Sequence, residues 1–574
     1  MKKILLFIFI ICIKQVNAQT PSWAWAKGWG NNLGQAWKQN ESSFGNSIAA
    51  DINGNVYTVG YFDTPIMIVG NYTLTNSNNS GNSGDVFIIK YDATGNVLWA
   101  TSAQGDSSDS GLGIVIDNAN NICITGAFSS STITFGTKTL TNSNNGTSDI
   151  FIAKYDILGN IIWAKNYGGS NDEFGNAIIK DANNDLYISG NFKSQSFSIG
   201  TNSITIDSSG NQNMFIAKFD SSGNPIYAKS VGKACNIAIQ GNNIASDNNN
   251  NIYVSGSFSK SEIILGNDTL HCNSNSSNYF LVKYDAIGNL LWVKSGSGLN
   301  YSVAANALTV DAANNIYISG NFAGNSLKIG NTTLTSFSEY SGFIAKYSSF
   351  GSVIWAKNLQ DLNPQPWPAS CIAVDASGGV YVGGGFTNEV GYTPFAVFGN
   401  DTLYSGNPGQ DAIFIVKYDS SGNSIWGQTA SSIRWNVMLG VAVDKYNNIY
   451  TVGYYNSPVI IFDNDTLFNS NATNWQGFNY FVAKIGTAGV GIEKYNINDN
   501  VIVYPNPSKN NFTIETNTTD KQNLNLYDIN GKLVLSQIIQ GTTNINTSTL
   551  AQGIYNLSII NKEGVVNKHL IIVH

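Results

Sequence analysis

Histidine and arginine are almost missing from this 574-residue chain. Its three histidines are His271, His569 and His574, and Arg434 is the only arginine. With so few imidazoles, two of them near the C-terminal end, a Ser-His-Asp triad or a histidine metal cluster has no material. Charge is also scarce. Charged residues make up 12%, and the formal net charge is −7, which argues against a phosphate-binding, nucleic-acid-recognising surface. The five cysteines include no C-x-x-C pair, so a zinc site is not expected. Cys12 lies in the leader described below, which leaves Cys123, Cys235, Cys272 and Cys371, and four cysteines allow three pairings. Cys123 and Cys371 occupy strand positions that the repeats fill with apolar or small residues, so buried free thiols are expected. Long apolar runs are missing too. The one over residues 4–13 is about ten residues, short of the roughly 18 that span a bilayer.

What the chain has in excess is asparagine, roughly one residue in seven, with 57 glycines and 12% aromatics, a profile suited to strands and tight turns. Residues 1–18 read as a Sec signal peptide, with Lys2 and Lys3 before the apolar run and Val16-Asn17-Ala18 offering a cleavage site. Cleavage removes three lysines and takes the net charge from −7 to −10. No transmembrane span is expected in the mature chain.

The middle of the chain repeats itself. NVYTVGYF, NICITGAF, DLYISGNF, NIYVSGSF, NIYISGNF, GVYVGGGF and NIYTVGYY place their third residues at Tyr57, Cys123, Tyr187, Tyr253, Tyr317, Tyr381 and Tyr450. The intervals are 66, 64, 66, 64, 64 and 69 residues. A second motif keeps step, from VFIIKYDATGNVLWA to IFIVKYDSSGNSIWGQ. Each period offers four short strands and a smaller element such as ITFGTKTLTN, with no helical periodicity. Seven four-stranded units predict an all-β fold, a seven-bladed β-propeller over residues 19–490. The seventh copy lacks its Trp-bearing strand, and PSWAWAKGWG at the mature N-terminus is that strand standing alone. It is expected to join the last unit and close the ring, leaving no free edges there.

Recurrent residues point to scaffold. The aspartates Asp51, Asp117, Asp181, Asp247, Asp311, Asp375 and Asp444 precede turns, where a carboxylate accepts backbone N–H groups. The series Trp99, Trp163, Trp292, Trp355 and Trp426, with Tyr227 substituting once, suits packing between units. Ligand recognition needs residues that differ between copies. Candidates on the loops leading into each first strand are Trp37, Tyr301, Trp367, Arg434 and Trp435, suited to sugar stacking or to anchoring a protein. Asp106, Asp109, Asp172 and Glu173 also fall in these loops and are expected to be solvated. No catalytic residue, metal site or cofactor is predicted.

Beyond a linker at residues 491–500, short alternating strands with Asn-Gly and Gln-Gly turns predict a small C-terminal β-sandwich over residues 501–574. The segment resembles the type A C-terminal sorting domain of bacterial type IX secretion substrates. The resemblance is carried by Tyr504-Pro505-Asn506-Pro507, the turn ending Gly531-Lys532, Gly553 and Tyr555, and the basic-then-apolar end at Lys568. It implies export by the type IX machinery and a secreted, extracellular or outer-membrane-attached product. Residues 22–488 are similar to the seven-bladed β-propeller repeat family of bacterial surface proteins, in the variant with an FGxxxLT insertion. That resemblance implies a non-catalytic binding or adhesion module for a glycan or protein. The alternatives are a secreted carbohydrate-active enzyme using loop carboxylates and a structural surface-layer component. The hairpin YDATGNVLW also resembles quinoprotein dehydrogenase repeats, but no quinone site is identifiable. Sialidases share the architecture, yet grip their substrate carboxylate with three arginines, which this chain does not have. Asp268-Thr269-Leu270, Asp401-Thr402-Leu403 and Asp465-Thr466-Leu467 resemble an O-glycosylation acceptor pattern of type IX-secreting bacteria.

Overall fold

The computed structural model describes residues 20–30, 42–78, 83–206, 212–232, 243–259, 262–272, 276–298, 302–336, 340–359, 365–366, 369–387, 395–399, 401–405, 411–469, 477–486, 501–516, 520–528, 532–561 and 564–573. The signal peptide, the linker, Cys235, Trp37, Tyr301, Trp367 and Gly531 lie outside them. The chain divides into two compact units, Met1–Thr487 and Ala488–His574.

All regular structure described is β, as the strand-length alternation and the turn residues require. The larger unit holds seven four-stranded antiparallel arrays among its described residues. The second is representative: Asp109–Ile116, Ile122–Phe128, Asp149–Tyr155 and Ile161–Tyr167 lie side by side in chain order. The second and third strands are buried along their whole length, packed on both faces by neighbouring sheets, so they read as continuous apolar runs. Between them a small hairpin projects, Thr132–Phe135 with Lys138–Thr141, and it pairs with residues 103–105 at the edge of the preceding sheet. An edge strand is thereby covered.

The array of Asn436–Val443, Ile449–Tyr455 and Asn479–Ile485 takes its fourth strand from the N-terminus. Trp23–Trp29 pairs with it antiparallel, Trp25 opposite Lys484 and Ala26 opposite Ala483. Two carboxylates of the neighbouring hairpin hold this strand by its backbone: Trp23 N–H donates to Asp463 at 2.8 Å and Ala26 N–H to Asp465 at 2.7 Å.

The recurrent aspartates start their turns as expected. Asp117 Oδ1 accepts from the N–H groups of Ala119 and Asn121, both at 2.8 Å. The chain then needs a left-handed residue three positions after the aspartate. Asparagine supplies it at Asn120, Asn184, Asn250, Asn314 and Asn447 and glycine at Gly54 and Gly378, which accounts for part of the asparagine excess. Where a tyrosine follows, its hydroxyl donates to the same carboxylate, as Tyr253 does to Asp247 at 2.9 Å. The third-strand lysine then sits over the tyrosine ring, with Lys283 Nζ 4.9 Å from the Tyr253 centroid. Cys123 replaces the tyrosine once and offers the carboxylate no comparable hydroxyl. There Lys154 closes on Asp117 to 2.8 Å, against 3.0 to 3.7 Å for four pairs where the tyrosine is present, Lys417–Asp375 being the shortest and Lys346–Asp311 the longest.

Neighbouring arrays are joined by one repeated device. Trp99 Nε1 and Lys90 Nζ both donate to the carbonyl of Ile157, in the turn of the next array, at 3.0 and 3.2 Å. Trp292 and Lys283 do the same to Ser349, and Trp355 and Lys346 to Ser420. The indole lies on that turn's glycine. A Cβ on Gly159 (φ +85°) would meet Trp99 at 3.0 Å, so glycine is required both by conformation and by space. Trp25 and Lys484, from opposite ends of the chain, repeat the device on Ala93, both at 3.2 Å. The tryptophan series is therefore packing between units.

The smaller unit has a three-stranded sheet (Ile502–Tyr504, Asn511–Glu515, Thr543–Asn546) and a four-stranded one (Leu533–Ile539, Gln522–Tyr527, Gly553–Asn561, Gly564–Ile572). Phe512, Ile514 and Ile545 of the first share a core with Leu524, Leu526, Leu557 and Leu570 of the second.

Candidate functional site

One cavity of the larger unit draws its lining from all seven arrays. Of about 620 Å3, it is walled by the first strands, through Asn46, Leu112, Asn176, Asn243, Asn306, Ser370 and Leu439 in array order. A bulge selects the residue in five of them. Pairing between first and second strands skips one residue between Gly45 and Ser47, Gly111 and Gly113, Gly175 and Ala177, Ala305 and Ala307, and Met438 and Gly440. The skipped residues are Asn46, Leu112, Asn176, Asn306 and Leu439. A bulge turns an unpaired residue out of the ladder, and here that residue lines the cavity.

The asparagines are held by one end. Asn46 Nδ2 donates to the Gly111 carbonyl at 2.8 Å, Asn176 Nδ2 to Asn191 Oδ1 at 2.7 Å and Asn306 Nδ2 to Asn321 Oδ1 at 2.9 Å. Asn243 Nδ2 donates to the Asn306 carbonyl. Lys193, the only cation among the described lining residues, pairs with Asp172 at 2.9 Å.

Leu112 and Phe174 also line a second cavity, of about 680 Å3, with Tyr61, Asp63, Ser108, Asp109 and Ser129. Asp109 was expected to be a solvated loop acid and is instead 2% exposed; Glu173 is fully buried. Both hold turns. Asp109 accepts from Ser130 Oγ at 2.7 Å and from the Ser129 and Ser130 N–H groups. Glu173 accepts from the Gly169 and Ser194 N–H groups at 2.7 and 3.1 Å. Burial pushes the Asp109 carboxyl up to about 7, with the Asp85 charge adding to it against the hydrogen bonds that lower it. Asp106 is exposed and Asp172 half-buried.

Of the loop candidates, Arg434 and Trp435 are described. They precede Asn436–Val443; Trp435 is 44% exposed and its carbonyl accepts from Asn456 N–H at 2.7 Å. Neither lines the central cavity. The bulge asparagines were missed, although a signal existed: they occupy a position, flanked by small residues, where the copies differ. No group of three or more His, Cys, Asp or Glu able to hold a metal occurs among the described residues, and no described helix is long and apolar enough to cross a membrane.

In the smaller unit the sorting-motif residues play different parts. Tyr504 is 46% exposed, whereas Tyr555 is buried and donates to the Ala551 carbonyl at 2.7 Å. Asn506 Oδ1 accepts from Ile571 N–H at 2.8 Å and ties the Pro-Asn-Pro segment to the last strand. Lys532 N–H donates to Asp528 at 2.9 Å, Gly553 opens its strand, and Lys568 is half-buried.

Residues 502–573 match the secretion system C-terminal sorting domain, and residues 39–61 match the β-propeller repeat. The chain is 24% identical over 550 residues to a WD repeat-containing protein, L264, of Acanthamoeba polyphaga mimivirus, covering 80% of this chain and 38% of that protein. It is 26% identical over 193 residues to the regulatory protein FlaEY of Caulobacter vibrioides, covering 33% of this chain and 19% of that one. The chain therefore spans well under half the length of either relative. Among solved structures, the Synechocystis apocarotenoid oxygenase aligns with a TM-score of 0.36 at 8% identity, over 78% of this chain and 97% of that one. The chain thus carries a propeller repeat and a type IX sorting domain. The sorting domain implies the type IX machinery as a partner and a secreted or outer-membrane-attached product.

Proposed function

We propose that the larger unit is a closed seven-bladed propeller acting as a non-catalytic binding module, displayed outside the cell for recognition of a glycan or protein. The observation that carries this reading is a cavity lined from all seven arrays. Closure is supported by the N-terminal strand's pairing and by the reuse at Ala93 of the Trp–Lys device that joins the other arrays. Binding without turnover is favoured because the loop carboxylates on which an enzyme would draw are engaged, Asp109 and Glu173 by turn donors, Asp106 by Ser131 and Asp172 by Lys193. Repetition explains the economy: recurring residues that serve the scaffold leave the residues that vary free to specify a ligand. The test is incubation of the secreted chain with polysaccharides and cell-surface fractions. Saturable retention without release of reducing ends is expected; release of reducing ends would overturn the reading in favour of a carbohydrate-active enzyme.

A further inference from the structure

We propose that the central cavity takes the end of an uncharged oligosaccharide, held by an arc of asparagines facing Leu112 and Leu439; this rests on the binding-module reading above. The first point is charge. Among the described residues the lining contains no carboxylate, and its one lysine pairs with Asp172. That described lining favours an uncharged ligand over an ion.

The second point is unused hydrogen-bonding capacity. Asn46, Asn176 and Asn306 each spend their NH2 group on the protein, while their Oδ1 atoms accept from no described residue. Asn191, also in the lining, is 93% buried, at 7% relative exposure. Its oxygen accepts from Asn176, and its own NH2 group has no partner among the described residues. Fixed acceptors beside a fixed donor match hydroxyl groups, each of which both donates and accepts.

The third point is asymmetry. Arrays three to six contribute Asn176, Asn243, Asn306 and Ser370, whereas arrays seven and two contribute Leu439 and Leu112, which flank Asn46 of array one. A sugar ring has the same division, a hydroxylated edge and apolar C–H faces. The volume of about 620 Å3 is that of a small-ligand cleft. Because the lining comes from every array, a ligand enters along the axis, which suits a chain end.

The test is calorimetric titration of the full secreted protein with uncharged gluco-, manno-, galacto- and xylo-hexasaccharides, with hexagalacturonate and hexalysine as charged controls. At least one uncharged sugar is expected to bind. Asn176→Leu and Asn306→Leu should each weaken it by about tenfold, the loss of one or two hydrogen bonds. Both variants should still fold cooperatively, since the fold already holds Leu112 and Leu439 at equivalent bulges, with melting lowered only by the lost bond to Asn191 or Asn321. The proposal is overturned if no uncharged sugar binds, if a charged control binds as well, or if both leucine variants bind like the parent. A sugar lost on Trp435→Ala but kept in the leucine variants would sink the cavity proposal and leave the binding module standing. Reducing-end release in the same cell would sink the binding-module reading itself.

Discussion

Replacing Trp25 by alanine tests whether the first and last arrays are joined by the device seen at Trp99, Trp292 and Trp355. Trp25 is 8% exposed, lies against Gly95 of the first array's turn, and has Tyr91 and Tyr450 with ring centroids 6.4 and 6.2 Å away. Its Nε1 donates to the Ala93 carbonyl at 3.2 Å. Truncating a buried tryptophan costs about 3–5 kcal/mol, of which the hydrogen bond is about 1 kcal/mol. Trp99→Ala is the internal control, because Trp99 makes the same contacts with Gly159 and Ile157 inside the chain. Trp99 is only half-buried, so its loss should cost somewhat less. Denaturant unfolding followed by far-UV circular dichroism on both variants gives the comparison. A Trp25→Ala cost of at least that of Trp99→Ala is expected. A cost below about 1 kcal/mol, with Trp99→Ala above about 3 kcal/mol, would refute the joined ends.

Burial holds the Asp109 carboxyl near 7, against an ordinary 3.8, so between those values the folded chain keeps a proton that the unfolded chain has released. Its contribution to stability is therefore whole below about pH 4, falls as pH rises towards 7, and is flat above. Asp109→Asn should lessen that fall and melt no lower than the parent at pH 8; a clearly lower melting temperature there would contradict it. Burial also raises the Cys123 and Cys371 thiols to about 12. Iodoacetamide should leave both unmodified in the native protein at pH 8 and modify both after denaturation, read by peptide mass mapping. Removing residues 502–573 should trap the chain inside the cell envelope, and its appearance in the medium at parental levels would refute their role in export.

The repeat made much of the fold legible. Strand number, turn positions, and the lone Trp-Ala-Lys strand matched to a truncated seventh copy could all be aligned by eye, and the described pairing of Trp25 with Lys484 agrees with that match. The structural reading of the aspartates and tryptophans was also legible, since a residue present in every copy serves the interface present in every copy. Two of the four loop acids were misread. Asp109 and Glu173 look like surface residues in a polar stretch, and only the folding back of Ser130 and Ser194 buries them.

By itself the sequence determined what is local and periodic: alternating apolar residues that must be strands, glycine and asparagine where the backbone turns left-handed, and a repeat that stacks on itself. The identity of the cavity wall was decided only in three dimensions. A bulge shifts the two-residue alternation by one position, so the simple rule for which side chain faces which way fails at Asn46, Asn176 and Asn306. Their carbonyl oxygens share one cavity because arrays 130 residues apart in the chain place their first strands around it, and no local rule can register that proximity.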